Sequence, residues 1–233
     1  MTIHTFHLAD VPAAVGVRAL VRPPSSAATD GLDHLECLSL MRLGAPTVSP
    51  DRLQVRRVAL FAQWRDEQAV DRFLEKDALG RAVAGGWHVR LQFLRRWSTL
   101  AALPGLPVRA GDCDADEPVV AVTLARMRMR ELPRFLHWGK PVERLVRDHP
   151  AVTLALAAVR PPRTVSTFSV WRTVREMEEM VHGRSVVPGA DRHVDAMAER
   201  ERRDFHHEFA TYRFRPLSEH GSWHGRSGIV PSL

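Results

Sequence analysis

His193, Met197 and Arg200 stand at i, i+4 and i+7 near the start of an amphipathic pattern. On a helix that spacing puts all three on one face. An imidazole there can hold a metal, a thioether can pack on a flat apolar group, and a guanidinium can meet an anion. Taken from the residues alone, the simpler reading of His193 is an exposed helix histidine that caps or meets water. Arg213 follows Tyr212 in a predicted strand, so one of the two faces inward. An inward arginine needs an anionic partner. Glu208 is the nearest carboxylate in sequence, but its odd separation puts it on the opposite strand face.

The other histidines offer less. His206 and His207 are adjacent in a strand, so they point to opposite faces and cannot share one metal. His220 and His224 flank Gly221-Ser222-Trp223, and their spacing suits a metal only on a helix, which Gly221 opposes. His137, beside Trp138, is expected to cap a helix or pack in the core, and His34 to sit in a turn. Trp64, Trp171, Trp97 and Trp223 read as core anchors. Cys37 reads as a small core residue and Cys113 as exposed, so a cysteine-built zinc site is not expected. No Ser-His-Asp elbow, phosphate loop or dinucleotide fingerprint occurs; the glycines of GRAVAGG (80–86) have the wrong spacing.

The elements that must position these residues come in a repeated order. Strands are expected over 2–8, 35–43, 55–64 and 87–97, and helices over 11–21, 66–74 and 79–84. Segment 22–33 reads as a loop, and Pro46 and Pro50 mark another. Residues 104–117 have the Pro/Gly/Asp composition of a linker. The order then restarts: strands at 118–129, 151–159, 165–171 and 205–217, with helices at 131–146 (broken near Gly139-Lys140-Pro141), 173–181 and 191–203. LFAQW (60–64) matches TFSVW (167–171), each closing a strand with Trp. Each half, 1–103 and 118–233, is therefore an α+β unit of βαββαβ order, the ferredoxin-like pattern. One such sheet leaves a face bare. Two in tandem can bury those faces against each other or wrap into a barrel.

The bulk numbers agree with a globular chain: 233 residues, 45% hydrophobic and 26% charged. No apolar run is long enough to span a bilayer. The start, MTIHTFHLAD, lacks the features of a signal peptide, which leaves a cytoplasmic address as the expectation. The net charge is +6, and only Lys76 and Lys140 among the 33 basic residues are lysine. These residues are interleaved with acids rather than gathered in a stripe, which argues against nucleic acid. A weak attraction to an anionic membrane surface stays open.

Five stretches of the second half resemble the spheroidene monooxygenase family: VVAVTLARMRMRELPRFLHWGKPV (119–142), TFSVW (167–171), RHVDAM (192–197), HEFATYRF (207–214) and GSWHG (221–225). LECLSLMRLG (35–44) and FAQWRD (61–66) resemble its first-half strands. The resemblance implies a dimeric α+β-barrel fold and a haem-dependent monooxygenase acting on an apolar small molecule. It also implies His193 as the iron ligand, with Met197 against the porphyrin and Arg200 and Arg213 toward its propionates. Electrons would come from a separate reductase, since the chain has no flavin or nicotinamide motif. The heavily charged AERERRD (198–204), the loop at 22–33 and the pair His206-His207 depart from the family pattern and bear on the substrate more than on the fold. A non-catalytic haem- or small-ligand-binding protein, or a cofactor-free oxygenase on the same barrel, is the alternative. A homodimer is expected from the edge strands of the sheets.

Overall fold

Alternating apolar residues give eight strands among the described residues, and the even and odd positions of each go to different cores. The computed structural model describes residues 2–43, 49, 53–103 and 105–232; Pro46, Pro50 and Pro104 lie outside the described residues. The first half holds β1 (Ile3–Asp10), α1 (Ala13–Val21), β2 (Leu32–Met41), β3 (Gln54–Trp64), α2 (Glu67–Lys76), α3 (Ala78–Val83) and β4 (Trp87–Trp97). The second holds β5 (Val119–Met127), α4 (Leu132–Asp148), β6 (Val152–Arg160), β7 (Thr164–Trp171), α5 (Val174–Val181), α6 (Arg192–Arg202) and β8 (His206–His220). The strands close into one barrel in the order β1-β3-β2-β6-β7-β5-β8-β4. Each half contributes four neighbouring strands, and the seams are β2 on β6 and β4 on β8. The expected pair of tandem ferredoxin-like halves is therefore present, and the bare faces are buried by closure. Closure also removes open edges, so the edge-strand reason for a homodimer falls away.

Inside the barrel Phe6 of one half stacks on Phe168 of the other with ring centroids 3.8 Å apart. Leu8, Leu38, Phe61, Leu91, Val122, Tyr212 and Phe214 complete this shared core. Outside it, Ile3, Cys37, Val58, Leu60, Trp64, Val70 and Phe73 form a second core beneath the first-half helices. A smaller third core, with Val119, Leu145, Trp171 and Met177, lies under the second-half helices. The helix starts follow from capping. Asp66 accepts from the Ala69 amide, Asp77 from those of Leu79 and Gly80, and Thr173 from that of Glu176. Gly80 answers for part of GRAVAGG: a Cβ there would sit 1.9 Å from the Phe73 carbonyl oxygen, so glycine lets α3 lie on α2.

Both barrel ends are covered by segments outside the repeat. Leu100, Leu103 and Leu106, between the halves, are buried in the barrel core. The expected linker thus carries a plug residue, Leu106, and is not a free tether. At the other end Ile229 is buried, and Glu219 accepts from the amides of Ile229 and Val230 and from the Trp87 indole.

Several expectations change. Helix α4 runs unbroken through Gly139 and Pro141. Proline costs the bond to the carbonyl four residues back, here that of His137, which is exposed and can meet water. His137 is thus a mid-helix surface residue, neither cap nor core. His34 lies within β2, which starts at Leu32. Trp97 is 39% exposed; instead of anchoring the core, its ring lies 4.2 Å from the Arg95 guanidinium and 5.0 Å from that of Arg213. Cys113 is half-buried, its thiol donating to Glu117.

Candidate functional site

The repeat can be read through strand register, and that makes one half a control for the other. Ile3 faces Trp64 across β1–β3 as Val119 faces Trp171 across β5–β7. Arg90 pairs with Asp71 of α2, and at the matching places Arg213 pairs with Glu178 of α5 at 2.9 Å. One outward row decides how the halves differ. In the first half it reads His88, His7, Leu60, Cys37 across neighbouring strands. All four are buried, and the His7 and His88 rings stack at 4.8 Å. In the second half the same row reads Thr211, Thr123, Thr167, Ala157. Thr167 is exposed, Thr123 and Thr211 are half-buried, and only Ala157 is buried. Smaller side chains have replaced larger ones, and the helices above do not close the gap. Ala121, Ala155, Ser169 and Phe209 on the same face are also half-buried. The face of the second sheet beneath α4, α5 and α6 is thus left partly uncovered over Thr, Ser and Ala, an opening referred to below as the trough.

Helix α6 contributes no fully buried residue, and it packs on α4 and α5. Its His193–Met197–Arg200 face turns inward. His193 Nδ1 lies 3.0 Å from the Val181 carbonyl oxygen at the end of α5. A carbonyl can only accept, so Nδ1 carries the proton and Nε2 keeps a free lone pair. Burial lowers the pKa of this imidazole below its ordinary value, with the Val181 bond working the other way. Met197 is half-buried one turn on. Arg200 lies with its guanidinium 3.9 Å from the Phe209 ring of β8. Tyr212 takes the inward position and Arg213 the outward one, with Glu178 as its partner; Glu208 is not. That partner was not legible because α5 reaches Arg213 only through the fold. Neither Nε–H of Arg200 and Arg213 makes a hydrogen bond, but Arg200 Nε lies 3.6 Å from the Asp204 carboxylate, so each guanidinium already faces an acid.

The sequence-predicted residues thus border one trough. Among the described residues no group of three or more His, Cys, Asp or Glu side chains could hold a bare metal ion. Haem asks less, since one imidazole can be its protein ligand. A free Nε2 on His193 fits an iron porphyrin; Arg200 and Arg213 could meet its carboxylates only by sharing guanidinium groups already paired with Asp204 and Glu178. Sequence reasoning missed the histidines that fill the matching row of the first half, His7 and His88, and the interior His4. The signal was present in HTFHL (4–8), where strand alternation sends His4 and His7 to opposite faces of a two-sided buried strand.

No family model matches this chain, and no curated protein does. Solved structures are similar in outline. An aldoxime dehydratase in complex with butyraldoxime is 9% identical, with 93% of this chain and 79% of that one covered and a TM-score of 0.48. An anthrone oxidase-like protein is 12% identical over 100% of this chain and 96% of its own, with a TM-score of 0.35. A ferredoxin-fold protein from Listeria monocytogenes, related to antibiotic biosynthesis monooxygenases, is 10% identical over 93% and 97%, with a TM-score of 0.31. At these identities and TM-scores the likeness transfers no chemistry. It does not single out the spheroidene monooxygenase family; what stands is the strand order itself, a closed α+β barrel of two ferredoxin-like halves.

Proposed function

We propose that the second half binds a flat, largely apolar small molecule in the trough between its sheet and α4, α5 and α6, and that oxygenation of such a molecule is the activity. The supporting observation is the single outward row: sealed by His88, His7 and Leu60 in one half, and open over Thr211, Thr123 and Thr167 in the other. A fold that closes this gap once and leaves it open once has room for a ligand at the second place. The reading needs no metal, so a cofactor-free oxygenase is contained in it, and a small-ligand carrier would share its binding half alone.

The orientation of His193 favours a more specific form, in which the bound molecule is haem. The Val181 carbonyl fixes the tautomer that leaves Nε2 for iron. Arg200 and Arg213 would meet the propionates, and Met197 would pack on the ring. Haem when bound supplies an iron that can exchange electrons and bind dioxygen. The chain's own part is to hold that group and to seat an apolar substrate on the threonine floor. Electrons then come from a separate donor.

Absorbance after adding haem, followed by gel filtration, tests this. The haem form expects a Soret band that stays with the protein and is lost in His193→Ala. The broader reading expects an apolar fluorescent probe to bind, with or without haem, and to be lost in a Thr167→Leu/Thr211→His double variant that copies the first half. Unchanged probe binding in that variant would place the ligand elsewhere and refute the proposal.

A further inference from the structure

The barrel interior is apolar at one end and polar at the other. Along β2 the inward positions after the apolar Leu40 and Leu38 are Glu36 and His34. On β5, β6 and β7 they end in Arg126, Arg160, Ser166 and Thr164. Glu36 is 1% exposed. Its Oε1 accepts from Arg126, and its Oε2 lies 2.9 Å from Arg160 but without hydrogen-bond alignment. His34 Nε2 stands 3.5 Å from Oε1. Burial opposes ionisation of Glu36, yet His34 and the two arginines outweigh it and hold the carboxyl at about 2. Two guanidinium groups therefore face one carboxylate.

Around them sit buried polar atoms with no partner. The Tyr212 hydroxyl and the Ser166 hydroxyl have none, nor does either ring nitrogen of His4. These side chains are between 0% and 3% exposed. Gln63 stands beside His4 without the geometry of a hydrogen bond. The His4 ring lies 6.0 Å from Phe61 and 5.0 Å from Phe214, and Tyr212 lies 6.3 and 6.4 Å from the same two rings. His4 and Tyr212 thus share one aromatic wall. An unmet hydroxyl or imidazole in such surroundings has lost its water without a replacement, so leaving all of them unmet is a large expense for a core. Positive charge is in surplus, two guanidinium groups against one carboxylate, and the two hydroxyls and the imidazole N–H can each donate besides. The complement is an acceptor-rich anion.

We infer that this end of the barrel interior, capped by Leu100, Leu103 and Leu106, is a binding site for a small carboxylate that reaches it beside the cap, along Arg126, Arg160 and His34, and accepts from Tyr212, Ser166 and His4. Those three side chains keep 18%, 24% and 14% of their surface exposed, so the cap does not seal them from solvent. The site is separated from the trough by the sheet, since its residues point inward where Thr123 and Thr211 point outward.

The intact protein is melted in rising acetate or benzoate, with chloride at equal ionic strength as the reference. The expected result is a saturable rise in Tm with at least one carboxylate and none with chloride. Tyr212→Phe and Ser166→Ala should each weaken that carboxylate's apparent affinity about tenfold or more, while Thr167→Leu should leave it unchanged. Because a hydroxyl deletion can itself shift Tm, carbon-13 line broadening of the labelled carboxylate is read in the same variants. No saturable rise, an equal rise with chloride, or affinity unchanged in both hydroxyl variants would overturn the inference and leave ordered water as the occupant.

Discussion

Replacing His4 by leucine should remove one proton from the acid sensitivity of folding. The imidazole is fully buried among Phe61, Phe93 and Phe214. Burial is the main cause of its pKa falling to about 3, from an ordinary value of 6.5. Between those limits the unfolded chain takes up a proton at this position and the folded chain does not. Stability therefore rises with pH, is complete above 6.5, and is lost as pH falls toward 3. Each pH unit in that window is worth about 1.4 kcal/mol per histidine, so His4 alone removes about 2 kcal/mol between pH 6.5 and 5. His7 and His88 act in the same direction, since burial lowers both, His88 to about 4. Urea unfolding followed by tryptophan fluorescence at several pH values gives the slope. His4→Leu, similar in volume, should lower it by one proton and leave the protein at least as stable at pH 7. An unchanged slope would mean that His4 is open to water in the folded state, and the description of the barrel interior would be wrong.

Three further outcomes follow from the packing. Leu103→Ala, at the plug after β4, should cost about 2 to 5 kcal/mol by chemical denaturation, the range for a buried leucine; a change under about half a kcal/mol would make that segment a tether. Glu219→Ala removes the acceptor of two tail amides and the Trp87 indole. It should cost about 2 to 4 kcal/mol and abolish hydrogen-exchange protection at Ile229 and Val230; retained protection would refute the latch. Glu36→Gln leaves Arg126 and Arg160 without their carboxylate and should destabilise by about 3 to 5 kcal/mol, read from the urea midpoint, with loss under about 1 kcal/mol speaking against a buried pair.

Much of the architecture could be read from the chain. The pentapeptides LFAQW and TFSVW marked the repeat because each puts Trp64 or Trp171 at the same buried corner. The α6 face was legible because His193, Met197 and Arg200 follow helical spacing, which is a local property. His137 and the helix around Pro141 were misread because a proline penalty of a few kcal/mol is local too, and packing of a 17-residue helix outweighs it.

Strands, duplication and one face of α6 could be read from local patterns, since alternation and helical spacing run along the chain. Which partner each arginine meets, that Leu100, Leu103 and Leu106 plug the barrel, and that one half is sealed where the other is open came from the folded arrangement. The reason is physical: those outcomes depend on side chains far apart in the sequence competing for the same volume. His7 and His88 gain their meaning only when strand register sets them against Thr123 and Thr211.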